Sequence, residues 1–279
     1  MTPRLGPSIV EGLRSGQACL LLTVALGVTL LGQGRITNAQ IETRTASQPL
    51  DREIATATSR GGARWIGYRI KVAAGHRGMD CFDRTRVALE SAGEISLLAR
   101  YEGSTLTRLR TTTPDCEIDA GGLPVTWFEN VKADDSAAWL TSVIKTTGVS
   151  NERRNQVVQP ALVALAMHEG STATRSLVDL ARDYPLARLR SDALFWLAQR
   201  AGQQATAAIV EAVDRDPDTE VKKRAVFALS QLPKDDGVPK LIDVARSNRN
   251  AAVRQQAMFW LGQSNDPRAL KFFEDVLLK

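Results

Sequence analysis

Apolar residues in the C-terminal half of this chain follow two superimposed periods. Within one stretch, Val221, Ala225, Ala228, Leu229 and Leu232 fall at i, i+4, i+7, i+8 and i+11, one stripe of an α-helix. The stripe then recurs every 32 residues without an insertion. Val157, Leu189, Val221 and Val253 form one column, and Ala161, Ala193, Ala225 and Ala257 a second. Leu165, Leu197, Leu229 and Leu261 form a third, and Leu177, Ile209, Leu241 and Phe273 a fourth. A period of roughly 20–50 residues marks one supersecondary unit stacked on copies of itself, because a lone unit cannot bury its apolar face. A second helical pattern, with Leu241, Val244 and Ala245 on its buried side, follows the polar break Pro233 to Gly237. Asp216 to Asp218 and Asp183 to Pro185 separate one unit from the next. Four helical hairpins are expected, at 157–188, 189–220, 221–252 and 253–279.

The N-terminal half changes period. From Trp65 to Val72, Ile66, Tyr68, Ile70 and Val72 alternate with Arg69 and Lys71, which predicts a half-buried strand. Ile95 to Tyr101 and Thr105 to Thr111 read as a hairpin around Glu102 and Gly103, and Val125 to Val131 as a further strand. Asp134 to Ile144 opens with acids and continues at helical spacing, a helix with an N-cap signal. The expectation is a β-rich domain over 62–132 and a bridging helix over 133–156. Residues 40–61, rich in Thr, Ser, Ala and charge, read as a flexible tether. The fold class is α+β, a small β-rich domain ahead of an all-α solenoid. About 70 residues is marginal for a self-sufficient β core, so docking onto the first helical unit would stabilise it.

Residues 1–39 read as an export signal. Arg4 and Arg14 supply a basic start, Ala18 to Gly32 is apolar, and Thr37 to Ala39 offers small residues for cleavage before Gln40. The run of about 15 residues is short for a membrane span of about 20. Arg35 and Glu11 are atypical for a cleaved signal, which leaves a retained signal anchor as the alternative. Loss of Arg4, Arg14, Arg35 and Glu11 would take the formal charge from +5 to +3. Such an excess, unclustered, gives no case for nucleic acid. Cys81 and Cys116 would be the two cysteines left, and in an exported chain two cysteines favour a disulfide. Closing that loop of about 35 residues is worth roughly 3–4 kcal/mol in the chain-entropy account.

The runs Val221 to Leu229 and Val253 to Gly262, with the Asp-Pro break at Asn265 to Leu270, resemble the HEAT-like repeats of bacterial phycobilisome-lyase-type proteins. The resemblance covers about 157–279 and implies a helical solenoid that binds other proteins. Lyase activity is not carried over, because export would separate the chain from cytosolic substrates. His168 and Glu169 invite comparison with a HEAT-like di-iron hydroxylase family, whose site needs several such pairs. This chain has one, since Arg200, Leu232 and Ser264 stand at the later periods. Neither a catalytic constellation nor a metal or cofactor site is expected.

Phe195, Phe227 and Phe259 recur at the period, about 150° from the centre of the apolar stripe at 100° per residue. With the small column Ala198, Ser230 and Gly262 beside them, they either hold a peptide or wedge against the neighbouring unit. Trp196 and Trp260 lie within the apolar stripe and are expected in the core. The acidic column Asp179, Glu211, Asp243 and Asp275 is either a solvated face or a receptor for a basic segment. On the last helix, Phe272 replaces Ser176, Ala208 and Lys240, and Leu278 replaces Arg182, Asp214 and Arg246. Both are expected to face outward and to pack on the β domain, a partner or a second copy. The functional expectation is an exported, non-catalytic binding or scaffold protein of the cell envelope. The alternatives are an envelope enzyme with its site in the β domain and a membrane-anchored assembly subunit.

Overall fold

The computed structural model describes residues 35–73, 93–147, 154–200 and 202–278. Among the described residues, seven strands and ten helices make an α+β fold. The strands are β1 (Arg35–Thr37), β2 (Ile41–Thr45), β3 (Ala63–Lys71), β4 (Glu94–Glu102), β5 (Thr105–Thr112), β6 (Glu117–Asp119) and β7 (Val125–Glu129). The larger sheet has the order β2-β7-β3-β4-β5, antiparallel from β3 to β5 and parallel from β2 through β7 to β3. A separate two-stranded sheet joins β1 to β6 in parallel. The hairpin is as its alternation suggests. The strand after it differs in placement, since β7 inserts between β2 and β3 and is buried on both faces.

Residues 40–61 are not a tether. They form β2 and helix α1 (Leu50–Thr58). Leu50, Ile54 and Ala57, at i, i+4 and i+7, are buried in the main core. Glu53 reaches back to the Ser47 and Gln48 amides ahead of the helix. The Ser47 amide, with smaller help from Gln48, lowers the Glu53 pKa against the opposing effect of burial. Of the export signal expected at residues 1–39, residues 1–34 lie outside the described residues, as does Cys81. Arg35 to Thr37 are paired with Glu117 to Asp119, and the Asn38 side chain reaches Asp119. Cleavage after Ala39 would therefore remove a strand. Cys116 is buried, with Sγ 3.0 Å from Thr113 Oγ1. No helix among the described residues is long and apolar enough to cross a membrane.

Helix α2 (Ala133–Thr146) lies against the sheet, and no side-chain cap forms at Lys132. A π-turn at Arg154–Val158 leads into α3 (Gln159–Met167) and α4 (Ser171–Asp183). Then come α5 (Ala187–Ala198), α6 (Gln203–Arg215), α7 (Thr219–Ser230), α8 (Lys234–Ser247), α9 (Ala251–Gln263) and α10 (Pro267–Leu277). Odd-numbered helices from α3 onward stack on one another; in the even-numbered layer α4 packs on α6 and α8 on α10, with a cleft between α6 and α8. The break expected at Pro233 to Gly237 is shorter than the sequence suggests, because α8 starts at Lys234 and runs through Gly237 and Pro239. Gly237 lets α8 press on α7, since a Cβ there would collide with the Leu229 carbonyl oxygen.

One core runs from the sheet into the helices. Ile66, Tyr68, Ile70, Leu97 and Phe128 share it with α1, α2 and every helix from α3 to α10. The seam is polar at its centre. Tyr68 Oη and His168 Nε2 each lie 2.8 Å from Ser136 Oγ, and all three residues are completely buried. The Ala73 amide donates to the Met167 carbonyl and the Glu169 amide to the Lys71 carbonyl, so the end of β3 is laced to the end of α3. Burial, then the nearby Arg200 charge, pushes the His168 pKa down to about 4 against a smaller opposing pull from Asp134. The unfolded chain takes up this proton near pH 6.5, before the folded chain does. Stability is therefore expected to fall as pH drops from about 6.5 to about 4, by roughly 3 kcal/mol at about 1.4 kcal/mol per pH unit. Urea unfolding at several pH values, compared with His168→Gln, checks this. The variant should lack that part of the slope.

Candidate functional site

The period places Phe195, Phe227 and Phe259 at equivalent points on α5, α7 and α9. Each helix is fixed by its buried stripe: Leu189, Ala193 and Leu197; Val221, Ala225 and Leu229; Val253, Ala257 and Leu261. Asp218 and Asn250 cap α7 and α9 by accepting from amides of the first turn. The rings then project from the side of the stack. Phe195 and Phe227 lie nearly parallel with centroids 6.3 Å apart. Phe227 meets Trp260 at 5.0 Å, Phe259 meets Trp260 edge-on at 5.0 Å, and Phe195 meets Trp196 at 5.1 Å. Five rings thus form one run across three helical pairs.

The phenylalanine column wedges in part against neighbouring units. The inner faces of the rings join neighbouring units, each contact worth about 0.5–1.5 kcal/mol beyond area burial. Phe195 and Phe259 remain exposed, and Phe227 is half-buried. Trp196 and Trp260 correct the sequence reading. They are half-buried at the margin of the core and complete the ridge. The Trp260 indole nitrogen is buried without a hydrogen-bond partner among the described residues, and the Trp260 side chain borders a cleft of about 250 Å³ with Ser230, Gln263 and Leu241.

Charges beside the ridge are uneven. Asp192, three residues before Phe195, is held by Arg154 and Gln159, and Glu220 by Lys223. Arg188 and Arg224 stand exposed on the same helices, with no ion pair among the described residues. The uncompensated charge flanking the ridge is positive.

The other candidates fare differently. Glu211 bonds Arg182 of the preceding pair, and Asp275 lies 3.9 Å from Arg246. Half of the acidic column is therefore occupied by arginines of the neighbouring unit. Phe272 is buried, a correction to the outward position expected of it. Its column faces the second helix of the preceding pair, and the Arg246 guanidinium covers the ring at 5.4 Å. Leu278 is exposed. Ser136 and His168, which sequence reasoning did not join, carry residue types used in acyl chemistry. Neither has any surface, so the pair serves the seam. Burial likewise raises the Tyr68 pKa and pushes that of Tyr101 up to about 12, a core effect rather than that of an open cleft. Among the described residues, no group of three or more His, Cys, Asp or Glu is placed to hold a metal ion.

Comparison with curated proteins gives no sequence match. Human deoxyhypusine hydroxylase in complex with glycerol aligns with a TM-score of 0.37 and 18% identity, over 46% of this chain and 43% of that one. This chain therefore spans under half of that structure's length, and a likeness so distant carries no argument about chemistry. Residues 206–279 match HEAT repeats, which gives the C-terminal helical region HEAT-repeat character.

Proposed function

We propose that this chain is a protein-binding module whose contact surface is the aromatic ridge of Phe195, Phe227 and Phe259, acting as a scaffold or adaptor without catalysis. The observation that carries the reading is five rings in continuous contact with exposed edges, on helices held rigid by a shared core. Exposed aromatic anchors on a rigid base bind at low entropic cost. In this reading, residues 157–279 are four HEAT-type helical pairs forming a short solenoid. Arg188 and Arg224 favour a partner segment with an apolar stripe flanked by carboxylates. Cell-envelope placement, with residues 1–39 as the export signal and Cys81 and Cys116 as a disulfide, belongs to the same proposal.

A second reading, a membrane-anchored assembly subunit, draws support from β1. Residues 35–37 are hydrogen-bonded into the fold, which favours their retention in the working protein.

The test is capture of crosslinked partners from cell envelopes, comparing the wild type with a Phe195→Ser/Phe227→Ser/Phe259→Ser variant. A band held by the wild type and reduced about tenfold or more in the variant is expected, the size of one hot-spot loss. Circular dichroism checks that the variant folds, and Phe259→Ser alone changes the most exposed ring of the three. Equal capture by wild type and folded variants contradicts the proposal.

A further inference from the structure

Two columns on the open face of the helical stack keep one residue type where their neighbours change it. Phe195, Phe227 and Phe259 form the first, and Gln199, Gln231 and Gln263, one turn further along α5, α7 and α9, form the second. Beside them, one column reads Arg188, Glu220 and Ala252, and another Asp192, Arg224 and Gln256. Internal packing does not account for the glutamines. All three are exposed at the C-terminal ends of their helices. The side chains of Gln199 and Gln263 make no hydrogen bond among the described residues, and that of Gln231 reaches only the adjacent Ser230 hydroxyl.

Residues four apart lie on one helix face, so each helix offers a ring and a carboxamide side by side. Gln199 and Gln231 both border the cleft between α6 and α8, and Gln231 and Gln263 both border the smaller cleft beside Trp260. A carboxamide donates through its N–H and accepts through its carbonyl oxygen, the complement of a peptide bond. The occupant must then carry unbonded peptide groups. The inner peptide groups of an α-helix are already bonded to one another. A polyproline II segment leaves its carbonyls free and completes a turn every three residues, about 9.3 Å. Packed helices lie about 8–10 Å apart, so the same side of such a segment meets each step of the ladder. About seven residues span the three steps. Arg188 and Arg224, exposed and without an ion pair among the described residues, call for carboxylates beside it.

We propose that the phenylalanine and glutamine columns together hold an extended, acidic, proline-containing segment of another protein. An apolar side chain at every third residue meets a ring, and the glutamines hold the backbone. The assignment depends on the ridge being the contact surface, and it names the class of segment that lies there.

Fluorescence anisotropy with two labelled peptides, on the full chain, tests this. One probe is a repeated Leu-Pro-Glu sequence. The other has the same content of Leu and Glu, with Ala for Pro, ordered as an amphipathic helix. The proline probe is expected to bind saturably, and the helical probe about tenfold more weakly or less. Gln199→Ala/Gln231→Ala/Gln263→Ala is expected to keep its circular dichroism, since these side chains lie at the surface, and to bind the proline probe about tenfold more weakly. Exchanging the probe's glutamates for lysines should weaken binding by a similar factor. Absence of saturable binding by the proline probe, or binding that the glutamine changes leave untouched, would overturn the proposal. Tighter binding of the helical probe, lost in Phe195→Ser/Phe227→Ser/Phe259→Ser, would overturn it while leaving the ridge as the contact surface.

Discussion

Asp216→Ala is expected to lower the free energy of unfolding by about 3–5 kcal/mol, the cost of stranding a buried charge. Asp216 follows α6 in the break between helical pairs and accepts two bonds from Arg190 of α5, Nε to Oδ2 at 2.8 Å and Nη2 to Oδ1 at 2.9 Å. Both side chains are almost completely buried. The remaining donor of Arg190 goes to the Tyr184 and Pro185 carbonyls, and the Asp218 amide donates to Asp216 Oδ1. Asp216 thus holds Arg190, the preceding loop and the entry to α7 together. The hydrogen bond to Asp216 raises the Arg190 pKa despite burial; without Asp216 the guanidinium still stays charged, because an arginine is protonated at any ordinary pH. The charge then keeps only the Tyr184 and Pro185 carbonyls and the more distant Asp218. The control is Glu211→Ala, which breaks the more exposed pair with Arg182 and should cost about 1 kcal/mol or less. Urea unfolding of both variants measures the contrast. Equal costs would mean that burial of the Arg190 pair contributes nothing.

Arg200→Met is expected to cost about 2–4 kcal/mol, because it leaves several buried carbonyls without donors. From the position one period after His168, Arg200 reaches back to the Ala166, His168 and Gly170 carbonyls and to Thr174 Oγ1. The first two carbonyls lie at the end of α3, where the helix supplies no partners. The methylene stem is preserved in methionine, so the loss is of hydrogen bonds and charge rather than volume. A second readout separates this from simple loosening. The Arg200 charge is one cause of the low His168 pKa, so the variant should raise that pKa above about 4 while the imidazole stays buried. An NMR titration of the ring checks the direction. An unchanged His168 pKa would detach Arg200 from the seam.

The helical half was legible because burial repeats with the sequence. Each column at the 32-residue period contains residues that pack alike, so four columns locate eight helices. The sheet was legible where alternation is strong, as at Ile66, Tyr68 and Ile70. It was not legible in β2, an edge strand with little to bury, or in α1, whose three core residues sit among Thr and charge. Phe272 was misplaced because Ser176, Ala208 and Lys240 made its column look solvent-facing. That column lies between successive second helices, where small or long residues fit equally well. Trp196 and Trp260 sit at the margin of the stripe, and only three-dimensional packing shows them joining the phenylalanines. The Tyr68, Ser136 and His168 group draws on segments 68 and 32 residues apart, which no local pattern could connect.

The most direct test of the aromatic ridge as the binding surface is site-specific photo-crosslinking in living cells. A photoreactive phenylalanine analogue would be placed at Phe195, Phe227 or Phe259, with Asp179 and Asp243 on the second helices as controls. The account predicts one discrete crosslinked species from the three ridge positions and none from the controls. It also predicts that Arg188→Glu/Arg224→Glu weakens that species. Crosslinks of equal strength from the second helices, or none from any ridge position while the folded protein is present, would contradict it.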